Sequence, residues 1–158
     1  MSTATAKPGS ALTLGTFLCF TVYAAGHAFN RVYKPLLEPL GLTYPQYLAM
    51  VVLWEQDDQT VGSLGETLSL ESSTLTPLLK RLEAMGHVRR VRDTVDERQV
   101  RVRLTDQGRA LREKALAIPD CILEASGLQA ADLQRLQGEM AALRDALERY
   151  NPAKAERP

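Results

Sequence analysis

Residues 60–108, TVGSLGETLSLESSTLTPLLKRLEAMGHVRRVRDTVDERQVRVRLTDQG, constrain the fold of this chain more than any other stretch. Ser63 with Glu66 three positions on reads as a capping box before a helix of barely two turns. ESSTLTPLLKRLEAMG then opens on Ser/Thr caps and places Leu75, Leu78, Leu79 and Leu82 on one helical face, with Gly86 as its stop. HVRRVR and RQVRVRL flank DTVDE. In the second of these, Val100, Val102 and Leu104 alternate with Arg101 and Arg103, the period-two pattern of a half-exposed strand. Two short helices followed directly by a basic hairpin form the winged helix-turn-helix layout. The predicted fold is therefore mainly α with a small β-hairpin.

Charge is distributed unevenly over this layout. Between Lys80 and Arg103 lie eight basic and four acidic residues, a net of +4 in a chain whose formal net charge is zero. The rest of the chain must carry −4. That asymmetry is the footprint of a phosphate-contacting face, although an Arg-rich hairpin can also be only a solvated surface. The capped helix before it favours contact with nucleic acid. Ser72, Ser73, Thr74 and Thr76 have side chains short enough for close approach to base edges, and Lys80, Arg81 and Arg90 supply charge.

The flanking segments read as helices. Ala11 to Phe29 contains no Asp, Glu, Lys or Arg. Such a run is long enough to cross a bilayer, but its three Thr, two Gly and one His are costly in lipid, and only one Lys precedes it. It is better read as a helix from about Leu12 to Lys34, apolar on nearly all sides and covered by other protein, with a break or kink at Pro35. Gly41 stops a short turn. Thr43 and Gln46 then form a capping box with Pro45 in the first turn, and Asp57-Asp58 ends that helix. Thr105 caps a further helix that Pro119 kinks and Gly127 ends. Last, Leu133, Leu136, Met140, Leu143 and Leu147 recur at spacings of 3, 4, 3 and 4, a coiled-coil-like seam. The expected organisation is one domain: a disordered arm over 1–10, a helical dimerisation region over 12–42 and 106–150, and the winged helix-turn-helix over 43–105. Paired half-sites favour a two-fold homodimer over packing of these helices within one chain.

Several function classes find no support. The two cysteines, 102 positions apart, cannot staple a secreted scaffold, and His27 and His87 are isolated. There is no Gly-rich phosphate loop, no GxSxG and no carboxylate pair. No metal, no cofactor and no enzymatic activity are expected, and the location expected is cytoplasmic, without membrane association.

The segment LTPLLKRLEAMGHVRRVRDTVDERQVRVRLTDQG resembles the core of the MarR family of dimeric winged-helix repressors, with its Asp-x-Arg wing motif at Asp96 and Arg98. LCFTVY together with VYKPLLEPLGLTYPQYLAMVVLWE is similar to the organic hydroperoxide resistance regulators (OhrR) within that family, and the resemblance runs from about Leu12 to Tyr150. It implies that Cys19 senses peroxide and that Tyr33 and Tyr44 hydrogen-bond it from the partner subunit, with Tyr23 lining the same site. It also implies that Cys121 is the resolving cysteine of the two-cysteine members.

The chemistry follows from the groups. A thiol attacks peroxide as thiolate, which a helix N-terminus and phenolic O–H donors stabilise. The sulfenic acid formed condenses with a second thiol, from Cys121 or a low-molecular-weight thiol. An apolar pocket favours organic hydroperoxides over hydrogen peroxide. The reading is a repressor that binds double-stranded operator DNA as a homodimer and leaves it when Cys19 is oxidised. A repressor answering to a small aromatic ligand, with Cys19 incidental, and a thiol peroxidase are the two rivals.

Overall fold

The structure is a computed structural model that describes residues 13–150. The arm predicted over 1–10 lies outside the described residues. The chain divides into two compact units, residues 1–115 and residues 116–158.

In the first unit, α1 (Leu18–Leu37) is followed by α2 (Tyr44–Glu55), β1 (Gln59–Thr60), α3 (Val61–Leu68), α4 (Ser72–Ala84), β2 (Val88–Arg92), β3 (Val100–Leu104) and α5 (Asp106–Ala115). The strands form an antiparallel sheet in the order β1-β3-β2, with Val88 opposite Leu104 and Arg92 opposite Val100. The core lies between α2, α3, α4 and the inner face of this sheet. Met50, Leu53, Leu64, Leu75, Leu79, Leu82, Val88 and Val102 are fully buried there. The α4 stripe predicted from spacing is this core's centre: Leu75, Leu78, Leu79 and Leu82 are all buried. Each contributes about 1.5–3 kcal/mol of burial relative to exposure.

Local rules explain most boundaries, and some differ from expectation. Thr43 and Gln46 form the predicted capping box: Thr43 N donates to Gln46 Oε1 at 2.9 Å, and Gln46 N to Thr43 Oγ1 at 3.4 Å. Gly41, Gly86 and Gly127 all take positive φ at chain reversals. The first helix starts at Leu18, not Leu12, after a 3-10 turn over Leu14–Thr16. Pro35 does not break it. Proline removes only one bond, to the carbonyl of exposed Arg31, and one more half-turn brings Leu37 into the core. Ser63 is not a cap either. Thr60 occupies that position and accepts from Ser63 N at 3.1 Å, because β1 delivers it in extended conformation. For α4 the N-cap is Glu71, without a side-chain cap bond, so Ser72 and Ser73 lie inside the first turn. β1 was not foreseen. Two residues carry no periodicity, and their pairing with β3 (Gln59 opposite Val102, Thr60 opposite Arg101) is set by tertiary placement.

The second unit contains α6 (Ile118–Ser126) and α7 (Ala130–Arg149). Pro119 sits in the first turn of α6 and does not kink a continuous helix: α5 has already ended at Ala115, and proline is well suited to a new helix start. No residue of α7 is buried.

Candidate nucleic-acid interface and thiol site

The side of α4 opposite its leucines carries exposed Ser72, Ser73, Thr74, Lys80 and Arg81. The Ser72, Ser73 and Thr74 hydroxyls take no partner among the described residues, so this edge presents uncommitted hydrogen-bonding groups. Thr76 faces a groove of about 590 Å³ that also draws on Thr60 and Ser63 at the start of α3 and on Arg90, Arg98 and Gln99 from the hairpin. The helix-turn-helix and the wing thus share one concave surface. Thr60, Ser63 and Gln99 were missed from sequence, since no spacing rule joins them to α4.

The wing is organised by carboxylates. Asp93, at the end of β2, is nearly buried. Its Oδ1 accepts from Val95 N at 2.7 Å and Asp96 N at 3.1 Å, and its Oδ2 accepts from Arg101 Nη1 at 2.9 Å. These donors, the Val95 amide first and then the Arg101 guanidinium, hold its carboxyl below the usual carboxylate range. Asp96 braces the tip: its Oδ1 accepts from Arg98 N at 3.1 Å and lies 3.7 Å from Arg98 Nε. The Arg98 side chain itself is 96 % exposed. At the base, Asp58 Oδ1 accepts from both Arg101 Nε and Arg103 Nε, at 2.8 and 2.9 Å. Bonds from Arg103 and then Arg101 hold the Asp58 carboxyl below its ordinary range.

These pairings sort the basic residues that charge counting treats alike. Arg90 is held by Glu83, with its backbone N donating to Oε1 at 3.0 Å and its Nη2 2.8 Å from Oε2. The Glu83 carboxyl is lowered by the Arg90 amide first and then its side chain. Arg101 and Arg103 are engaged by Asp58 and Asp93. Between residues 80 and 103, Lys80, Arg81, Arg89 and Arg92 form no ion pair among the described residues, and Arg98 has only the 3.7 Å contact of its Nε with Asp96.

Cys19 is the second residue of α1 and is exposed, as are its neighbours Leu18, Phe20 and Val22. Tyr23 stands one turn further on, 64 % exposed, with the His27 ring edge-on at 4.4 Å. Tyr33 belongs to the same helix but 14 positions beyond Cys19, about 21 Å at helical rise. It packs instead on Tyr44, at 4.5 Å between centroids, and on Tyr47 at 5.9 Å. Burial, reinforced by the neighbouring phenols of Tyr44 and Tyr47, pushes Tyr33 up to about 12, and burial also raises Tyr44 and Tyr47. All three are O–H donors at neutral pH. A cleft of about 510 Å³ adjoins Tyr33 and Tyr44, with Asn30, Lys34 and Thr43 on its rim. The chain thus joins Tyr33 to Tyr44 and leaves Cys19 and Tyr23 apart from them. Tyr47, packed on Tyr33, was not anticipated. Its signal in the sequence was its place one turn after Tyr44. Cys121 lies in α6, half-buried, in the second unit. Among the described residues no cluster of His, Cys, Asp and Glu could hold a metal, and no helix is long and apolar enough to cross a membrane.

The three-stranded sheet, the helix pair inserted between its strands β1 and β2, and the shared groove define a winged helix-turn-helix regulator. The family described as transcriptional regulator SarA/Rot matches residues 31–115. The chain is 46% identical over 134 residues to the organic hydroperoxide resistance transcriptional regulator of Bacillus subtilis (strain 168), covering 85% of this chain and 91% of that one. It is 50% identical over 135 residues to the HTH-type transcriptional regulator TtmR of Methylorubrum extorquens (strain PA1), covering 85% and 69%. Reduced AbfR bound to DNA, a Staphylococcus epidermidis protein, superposes with a TM-score of 0.70 at 38% identity, covering 85% of this chain and 93% of that one. The chain belongs to the MarR family of transcriptional regulators, in the group resembling the organic hydroperoxide resistance regulators.

Proposed function

We propose that this chain is a cytoplasmic homodimeric repressor that binds operator DNA and is released when an organic hydroperoxide oxidises Cys19. One observation carries the reading. Cys19 stands in the first turn of a helix whose apolar residues Leu18, Phe20, Val22 and Phe29 the described chain leaves exposed, about 21 Å along that helix from the protonated phenol of Tyr33. A second copy supplies both a cover for that helix and a way to bring Tyr33 and Tyr44 to the thiol. Leu136 and Leu147 of α7 are likewise exposed, and Leu133, Met140 and Leu143 are only half-buried within the chain, as suits a helix of a dimer interface.

In DNA binding, α4 enters the major groove with Ser72, Ser73, Thr74 and Thr76 toward base edges. Lys80 and Arg81 meet the backbone, and Arg98, braced by Asp96, enters the adjacent minor groove. Arg90 contributes after exchanging Glu83 for a phosphate. In sensing, the Cys19 thiolate attacks one peroxide oxygen. The S–O bond forms, the O–O bond breaks, and the alcohol leaves with a proton. Tyr33 and Tyr44 of the partner donate to the thiolate, and Tyr23 lines the pocket. The Cys121 thiol of the other chain, or a low-molecular-weight thiol, then attacks the sulfenic sulfur and water departs. A disulfide needs Cα atoms within about 7 Å, so closing it pulls on α1 and α6 and takes the two wings off their half-site spacing.

The test is a gel shift on DNA upstream of the chain's own gene, with hydroperoxide and then reductant. Release by oxidant and recovery by reductant are expected for wild type, and retention under oxidant for Cys19→Ser. Release of Cys19→Ser by hydroperoxide refutes the reading. Redox-insensitive binding points to the ligand-responsive repressor, and DNA-independent peroxide turnover to the peroxidase.

A further inference from the structure

Asp58, between α2 and β1, has φ 59°, a left-handed conformation that residues with a Cβ seldom adopt and Asp tolerates better than most. Its carboxylate is shared by Arg101 and Arg103, and its carbonyl also accepts from Arg101 Nη2. Arg101 donates onward to Asp93. Asp93 holds the Val95 and Asp96 amides, and Asp96 holds the Arg98 amide. An unbroken series of charge-assisted hydrogen bonds therefore runs from the end of α2 to the wing tip. The turn that carries Arg98 is also closed by backbone bonds from Asp93 N to Gln99 O and from Gln99 N to Asp96 O, both 2.9 Å, while the Arg98 side chain is almost wholly in solvent.

We infer that Asp58 is a positioning residue for Arg98: through Arg101 and Asp93 it sets the angle at which the wing presents that arginine to the minor groove. The inference rests on the DNA-binding reading above and adds to it a residue that touches no DNA. Two other roles for Asp58 predict different behaviour. A carboxylate that merely masks two arginines would, when removed, raise affinity for every duplex alike. A residue that merely accommodates a left-handed turn would be replaced without loss by glycine.

The experiment compares wild type, Asp58→Gly, Asp58→Asn, Arg98→Ala and the Asp58→Gly/Arg98→Ala double variant. The probes are a duplex from upstream of the chain's own gene and a random duplex of equal length, read by fluorescence anisotropy at moderate salt. Asp58→Gly keeps the turn and loses the carboxylate. It is expected to weaken upstream-duplex binding about tenfold without weakening binding to the random duplex. Asp58→Asn, which keeps an acceptor, is expected to recover part of the loss. The double variant is expected to bind no more weakly than Arg98→Ala alone. In footprints, Asp58→Gly should lose hydroxyl-radical protection in the minor groove and keep guanine N7 protection in the major groove. Unchanged or tighter upstream binding by Asp58→Gly, or a double variant weaker by the product of the two single losses, overturns the inference. If wild type does not prefer the upstream duplex, the DNA reading fails separately. Amide exchange then decides on Asp58: exchange of Val95 and Asp96 several-fold faster in Asp58→Gly supports it, and unchanged protection overturns it.

Discussion

Gly108, in the first turn of α5, makes the closest approach of any glycine described, and its replacement gives a quantitative test of how the wing base is built. A Cβ added there would lie 2.0 Å from the His87 carbonyl oxygen, where real contacts stay beyond 3.0 Å, so α5 and the start of β2 must separate by at least 1 Å. Both partners are backbone, and no side chain can turn aside. The separation acts on three bonds at once: Thr105 N to His87 O at 3.1 Å, Thr105 Oγ1 to Gly86 O at 2.6 Å, and Trp54 Nε1 to Gly108 O at 2.9 Å. Losing two of them costs about 1 kcal/mol each, and overpacking adds about 1–3 kcal/mol. Gly108→Ala is therefore expected to destabilise the protein by about 3–5 kcal/mol in urea unfolding followed by circular dichroism at fixed protein concentration. Gly138, with open space around it and at the position of the α7 repeat farthest from the leucine seam, is the control. Gly138→Ala should be neutral or stabilising by up to about 1 kcal/mol. A Gly108→Ala loss below about 1 kcal/mol would refute the claim that this contact is rigid.

Tyr33→Phe and Tyr44→Phe are each expected to keep reduced-state DNA affinity and to slow Cys19 oxidation several-fold in stopped-flow with an organic hydroperoxide. Wild-type rates would remove that tyrosine from the sensor. Hydroperoxide should yield a covalent dimer on a non-reducing gel, absent in Cys19→Ser and in Cys121→Ser; wild type that leaves DNA while running wholly as monomer would rule out the two-cysteine route. His87 is buried, its Nδ1 has no partner among the described residues, and burial lowers its proton affinity. The unfolded chain therefore binds a proton at higher pH than the folded one, so stability falls as pH drops below the ordinary histidine value of about 6.5. His87→Leu should flatten the unfolding free energy between pH 7 and 5 relative to wild type. An identical slope would show that His87 takes up no proton on unfolding.

What the sequence disclosed and what it withheld divide along a physical line. Patterns set by local geometry were readable: the Thr43–Gln46 box, the α4 leucines, the alternation of Val100, Val102 and Leu104, and the turn glycines. Each is fixed by backbone periodicity within a few residues. Interactions between residues distant in sequence were not. Counting charges gave Arg90, Arg101 and Arg103 to the DNA face, yet Glu83, Asp58 and Asp93 engage them. Asp57-Asp58 looked like a helix end, which it nearly is, but its bonds from Arg101, Arg103 and Leu104 depend on β3 passing beside it. The cap assignment at Ser63 failed for a related reason. Both Thr60 and Ser63 are suitable residues, and only β1, invisible in two residues, chooses between them. The resemblance pointed to Tyr33 and Tyr44 as partners of a thiol, whereas their packing on each other and on Tyr47 required α1 and α2 to be placed side by side.

α2 has the tyrosines at its beginning and Asp57-Asp58 just past its end. Trp54 links its last turn to Gly108, and Asp57 also accepts from Leu104 N at 2.8 Å and Arg109 Nη2 at 3.0 Å. Twelve residues make a rod of about 18 Å. Tilted by about 10° around its Tyr44 end, such a rod carries Asp58 sideways by about 3 Å, as far as a whole hydrogen bond is long. The bonds from Asp58 to Arg101 and Arg103 survive that motion only if the hairpin travels too. Were the aromatic rings at one end to restack and α2 to tilt as one body, the wing angle would change by rigid displacement, without any element having to melt.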